Sequence, residues 1–285
     1  MIRWASTLCS TLLPGFMLMA QALPAQTAAA PAASDPKAAT ILQQGLAAMT
    51  GGAPVADVTM RGTVTVYKGS AKESGTITMV ATATGRSRTT TVLPSGTWVT
   101  IQDYSANPRT SVTKGPNGEN DAAATQDLLG PSPAWFSPAM LIGAFAPQGF
   151  VASYVGQETR DGSLVHHVAL WPQSANNSPP PSVQIAGQQL FTGPPRPGQH
   201  ELYLDASSLL PQELVFRITG YRAKNGSPDL TRPMSAAENV RFSDHRQVPG
   251  GVAAFHIQMS IGGLTLMDIQ LSSVSFNTGA AVAAH

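Results

Sequence analysis

The stretch "DGSLVHHVALWP" (161–172) sets two adjacent histidines, His166 and His167, inside an apolar run. Histidine is the commonest metal ligand and the usual proton carrier near neutral pH, so the pair raises the question of a metal or acid–base site. The residues around them alternate as a strand does, and successive strand side chains leave opposite faces. His166 then shares a face with Leu164, Val168 and Leu170, while His167 shares one with Val165, Ala169 and Trp171. Two ligands of one ion must converge, and these diverge. His200, His245, His256 and His285 show no paired-ligand spacing, so the expectation is imidazoles packed or hydrogen-bonded in a sheet, with no metal site.

Three further stretches bear chemistry-capable residues. In "SDHR" (243–246) a regular strand would place Ser243 and His245 on one face and Asp244 on the other, whereas a catalytic triad needs the acid behind the histidine. "HELYL" (200–204) opens like a zinc-protease helix but carries Leu204 where the second histidine belongs. Asp205, in "LYLDASSLLPQE", reads as the cap of the turn after its strand, bonded to backbone N–H groups ahead of it. A nucleophile elbow of the G-x-S-x-G type, a glycine-rich phosphate loop and a dinucleotide fingerprint are all missing from the sequence, so no catalytic residue and no cofactor is expected. The one cysteine, Cys9, lies near the start, ahead of any folded region.

The elements that would position these residues follow from pattern. Residues 1–25 carry Arg3, an apolar run from Trp4 to Ala20 and small residues before a cleavage point, which predicts a secretory signal peptide, export across the inner membrane to the periplasm, and no transmembrane helix in the mature chain. Loss of Arg3 with that leader brings the 17 basic residues level with the 16 acidic ones, leaving no electrostatic case for a nucleic-acid partner. "QTAAAPAAS" (26–34) reads as a tether, residues 35–279 as one domain and 280–285 as a tail. Asp35 or Ser34 caps a helix with Pro36 in its first turn, and Ala38, Leu42, Gly45 or Leu46 and Met49 recur at helical spacing up to Gly51-Gly52.

From Asp57 the period becomes two: Val58, Met60, Gly62, Val64 and Val66 face one way, and Gly75, Ile77, Met79 and Ala81 repeat the pattern after a turn. Further strands over 88–92 and 97–102 continue a meander, and 114–122 reads as a turn-rich connection. Residues 125–146 break the alternation; Ser132-Pro133 and Ser137-Pro138 each mark a helix start, predicting two short helical pieces that carry Leu128, Leu129, Trp135, Phe136, Met140, Leu141, Ile142 and Phe145. Strands resume at 151–158, 164–171, 201–204, 213–220, 238–244, 252–261 and 264–276, with a Pro-rich loop over 172–199. The fold class is mainly β with a few helices.

Three stretches, "SYVGQETRDGSLVHHVAL", "ELYLDASSLLPQELVFRI" and the terminal strands ending in "SVSFN", together with the order of elements, resemble the periplasmic lipoprotein-carrier superfamily, the LolA/LolB-like and outer membrane lipoprotein-sorting proteins. The resemblance implies a curved, incompletely closed antiparallel β-barrel with an N-terminal helix and a helical insertion as lid, and a non-enzymatic carrier or sensor whose partner is a lipid or the acyl chain of a lipoprotein. The cavity and lid would be formed by Val64, Val66, Ile77, Met79, Leu128, Trp135, Phe136, Met140, Leu141 and Phe145. An envelope scaffold that binds a protein partner through the 172–199 loop, and no small ligand, is the alternative.

Overall fold

A computed structural model describes residues 33–103, 110–120, 136–145, 150–172, 182–185, 188–191, 200–224 and 227–282. Helix α1 (Pro36–Thr50) is followed by β1 (Asp57–Lys68), β2 (Ala71–Thr82), β3 (Arg86–Leu93), β4 (Gly96–Asp103), β5 (Thr110–Gly115) and β6 (Gly118–Asn120). A short helix α2 (Pro138–Met140) runs into a π-turn over Leu141–Phe145. Then come β7 (Phe150–Arg160), β8 (Ser163–Pro172), β9 (Ser182–Ile185), β10 (Gln188–Phe191), β11 (His200–Asp205), β12 (Pro211–Lys224), β13 (Ser227–Val248), β14 (Gly251–Ile261) and β15 (Leu264–Phe276).

Thirteen strands make one open antiparallel sheet in the order β6-β5-β4-β3-β2-β1-β15-β14-β13-β12-β11-β8-β7. The first meander meets the second where β1 pairs with β15, Val58 opposite Phe276 and Val66 opposite Met267. The sheet is curved: one apolar cluster on its inner face reaches from Leu93 on β3 to Leu170 on β8, eight strands away, and takes in α1 and residues 136–142. Curvature needs places where backbones can close up. At Gly62 the register to β15 shifts, and a Cβ there would lie 2.1 Å from the Gln270 carbonyl oxygen, so only glycine admits the bend.

Helix α1 forms where its cap predicts. The Asp35 carboxylate accepts from the Lys37 N–H at 2.8 Å, Pro36 begins the first turn, and Gly51 ends the helix in the left-handed region at φ 63°, donating to the Ala47 carbonyl. Ala38, Ile41, Leu42, Gly45 and Met49 turn to the sheet. Gly251 makes the seat: the Met49 carbonyl oxygen comes within 1.9 Å of where its Cβ would be. Ahead of the helix, Ser34 and Asp35 bond the outer edge of β7, taking the N–H groups of Ala152 (3.0 Å) and Tyr154 (3.3 Å), while the Asp35 N–H donates to the Ala152 carbonyl (2.8 Å). At the other end of the chain the "SFNTG" segment clamps the start of β1. Buried Asp57 accepts from the backbone N–H of Thr278 and Gly279 and from the Thr278 hydroxyl, and Asn277 bonds both Ala56 and Pro54.

Several expectations need correction. The connection over 114–122 contains the tight β5–β6 hairpin, Gly115 opposite Gly118. The 172–199 segment is not a plain loop, because β9 and β10 pair within it as a separate two-stranded sheet. Its "SVQI" and "QQLF" alternations are short, and the surrounding prolines mask them. Strands β12 and β13 extend well beyond 213–220 and 238–244, pairing as far as Lys224 opposite Ser227, because Thr, Tyr and Arg tolerate strand geometry even without strict apolar alternation. The Ser132-Pro133 helix start lies outside the described residues.

Candidate functional site

The inner face of the sheet is the candidate site, and the chain itself fills it. Residues 136–142 are buried throughout: Phe136, Ala139, Met140, Leu141 and Ile142 are between 0% and 5% exposed. They form a plug sunk into the curve of the sheet rather than a cover on its rim. Ser137 precedes Pro138 as predicted and occupies the N-cap position of α2, but its side chain makes no capping bond. Gly143 brings the plug against α1, where its Cβ position lies 3.3 Å from Leu46.

Of the residues expected to line a cavity, Val64, Ile77, Met79, Phe136, Met140 and Leu141 belong to this single cluster, and Val66 packs against it. Phe145 ends the π-turn. Leu128 and Trp135 lie outside the described residues. Among those described, the inner face retains a recess of about 20 Å³, room for one water-sized group. Met49, Met60, Phe136, Ser137, His245 and Phe276 are among its walls.

His245 reaches that recess by a local device. Ser243 pairs with His256 and His245 with Ala254, so Asp244 and Phe255 stand opposite each other without pairing, and Asp244 takes up φ 55°. The regular-strand expectation is corrected at this break in pairing: Ser243 stays exposed beside His256, while His245 lines the inner recess. Its ring hydrogen-bonds the Pro211 backbone carbonyl, while Nε2 is sealed from solvent and has no hydrogen-bond partner. The donor is therefore Nδ1, and the neutral ring leaves a lone pair on Nε2. Burial holds the imidazole below its ordinary pKa, against the opposing pull of the Pro211 bond, Asp244 and Asp205.

A second polar group faces inward farther along β13. Glu238 is 4% exposed, its Oε1 is buried without a partner, and desolvation pushes its pKa up to about 7. It lies opposite Phe216 on β12, and Phe216 lies opposite His200 on β11. The Phe150, His200 and Phe216 rings pack with centroids 5.1 Å apart for each of the two histidine contacts.

The histidine pair separates as the alternation requires. His166 Nδ1 lies 3.0 Å from the Tyr154 hydroxyl, whereas His167 Nε2 lies 2.6 Å from Glu201 on the outer face, its ring stacked on Tyr203. Arg160 covers Tyr203 and pairs with Glu213, and burial raises the Tyr203 hydroxyl to about 12. This outer cluster ties β7, β8, β11 and β12 together. Asp205 caps its turn as expected, accepting from the N–H and hydroxyl groups of Ser207 and Ser208, bonds that lower its pKa to about 2.

Ser243, His256 and Asp268 form a relay that sequence reasoning missed. Ser243 Oγ lies 3.1 Å from His256 Nδ1, and His256 Nε2 lies 3.1 Å from Asp268 Oδ1. The members come from β13, β14 and β15, and only strand register, which no local motif encodes, brings them into line. The order of atoms suits a nucleophile, a base and an orienting acid. Ser243 stands exposed on the outer face of the sheet, away from the apolar inner face.

No family model matches the sequence, and no curated protein matches it. Solved structures do. A Vibrio parahaemolyticus outer membrane lipoprotein-sorting protein domain superposes with a TM-score of 0.52 at 12% identity, covering 86% of this chain and 94% of that one. The fold is LolA-like. A LolA superfamily protein from Nitrosomonas europaea agrees at a TM-score of 0.51 and 10% identity over 83% and 92% of the two chains. A DUF1329 family protein from Desulfovibrio piger gives 0.52 and 9% over 86% and 94%. At such identities the LolA-like likeness concerns architecture, and function must be argued from the site. Among the described residues no helix is long and apolar enough to cross a membrane.

Proposed function

We propose that this chain is an exported, non-enzymatic carrier or sensor that binds a lipid-like ligand, a free lipid or the acyl chain of a lipoprotein, on the concave face of its sheet. The observation that carries the reading is the plug: a three-residue helix and a π-turn fill a curved apolar face that continuous strands frame. Short helical segments of this kind hold their place through apolar contact, and an apolar ligand can replace such contact. Phe136, Met140, Leu141 and Ile142 together bring roughly 8 kcal/mol of gross burial, at about 2 kcal/mol per side chain. An acyl chain contributes about 0.8 kcal/mol per methylene, so about ten methylenes match the plug. Exchange between plug and ligand is then close to balanced, which suits a carrier that must also release.

Support for export comes from the leader-like residues 1–25. The LolA-like architecture, shared with a lipoprotein-sorting domain, favours an acyl ligand. Expression in a bacterial periplasm followed by mass spectrometry of extracted lipids, with displacement of a fluorescent fatty acid from the purified protein, tests the reading. Co-purified acyl lipid and competitive displacement are expected. A lipid-free preparation that neither binds nor exchanges the probe overturns the carrier and leaves the scaffold.

A further inference from the structure

We infer that the recess beside Ser137 and His245 is the head-group end of the ligand site, and that it selects an uncharged amphiphile whose head donates a hydrogen bond, a hydroxyl, over a carboxylate. This rests on the carrier reading above and adds the chemistry of the ligand's polar end.

The ladder between β13 and β14 is interrupted at Asp244 and Phe255, and just past that break one imidazole stands in an apolar wall. The ring cannot turn freely, since Nδ1 donates to the Pro211 carbonyl. What it presents to the recess is the Nε2 lone pair, sealed and unanswered. Beside it Ser137 brings a hydroxyl that α2 does not use as a cap. The remaining walls, such as Met49, Met60, Phe136 and Phe276, carry no hydrogen-bonding side-chain group.

An unanswered buried acceptor is an unfavourable feature that a matching donor removes. A ligand hydroxyl donates to Nε2 and can exchange a bond with Ser137. A carboxylate brings only lone pairs, so it meets Nε2 with repulsion unless the imidazole is first protonated. The charged groups that act on His245 are Asp244 on its own strand and Asp205 at the end of β11; both favour protonation, yet burial outweighs them. Met49 of α1 and Phe136 to Ala139 of the plug contribute no titratable group to the walls. The ring is therefore neutral at neutral pH, and the tail of the ligand would run from this end along the space that Met140 and Leu141 occupy.

The test uses the delipidated full chain at pH 7.5, with monolaurin and lauric acid competing against one fluorescent acyl probe. Monolaurin is expected to compete about three- to tenfold better, the range of one buried hydrogen bond. His245→Leu should erase that preference while retaining lauric acid binding, and His245→Gln, which keeps an acceptor, should hold part of it. Should the variants fail to fold, histidine nitrogen NMR of the unaltered protein gives the same answer: monolaurin shifts one unprotonated Nε2 and lauric acid leaves it in place. Equal competition, or a preference that survives in His245→Leu, overturns the inference while the carrier stands. If neither compound displaces the probe and no acyl lipid binds, both fall.

Discussion

Glu238 offers a direct measurement of how dry the concave face is. Its carboxyl is 4% exposed, has one oxygen without a partner and titrates near 7, so the folded state prefers the protonated acid. The unfolded chain ionises it near 4.5. A raised acid pKa means that folding stability is highest at pH below 4.5, falls as pH rises from about 4.5 to about 7, and stays level above. The interval corresponds to about 3 kcal/mol, at about 1.4 kcal/mol for each pH unit. Glu238→Gln keeps the shape and removes the titration. Relative to the parent it should gain about 3 kcal/mol between pH 4.5 and pH 8, or roughly 6–12 °C in melting temperature for a chain of this size. Comparing the two pH values cancels any fixed cost of seating the amide. Thermal melts by circular dichroism at several pH values provide the assay. A melting difference between Glu238→Gln and the parent that does not change with pH would refute the burial argument.

Other outcomes follow from the same physics. Gly62→Ala should lower stability by at least about 1–3 kcal/mol in denaturant titration, since its Cβ meets the Gln270 carbonyl at 2.1 Å and backbone must move. Met140→Ala, at a fully buried position in the plug, should cost about 2–5 kcal/mol by the same titration and speed uptake of a fluorescent acyl probe in stopped-flow mixing. Asp205→Ala removes the turn cap and should cost about 1 kcal/mol at neutral pH. Because the folded pKa of Asp205 is depressed, its contribution is present above about pH 3.8 and disappears as pH falls towards 2; melts of parent and variant should converge there.

Local grammar in the sequence specifies a large part of the architecture. Asp35, Pro36 and Gly51 delimit α1, alternation from Val58 to Val66 defines the buried face of β1, and Asp205 with its serines announces a turn. The divergence of His166 and His167 follows from strand geometry alone. Features that depend on partners elsewhere are hidden. Nothing in "SDHR" signals that the pairing with β14 will break at Asp244 and Phe255, yet His245, next to that break, turns to the inner recess. The Ser243, His256 and Asp268 relay likewise needs the registers of three strands. Glu238 reads as an ordinary polar strand residue until Phe216 is set beside it.

The bonds that Ser34 and Asp35 make to Ala152 and Tyr154 set a limit on any shortening of the N-terminus. β7 ends the thirteen-stranded sheet, and those two residues answer the amides it would otherwise offer outward. Trimming that stops before Ser34 preserves the guard. A protease that nibbles past Asp35 would strip it, together with the cap of α1, and leave a sticky strand on which a second molecule could template itself. Solubility on storage is then set at Ser34 and Asp35.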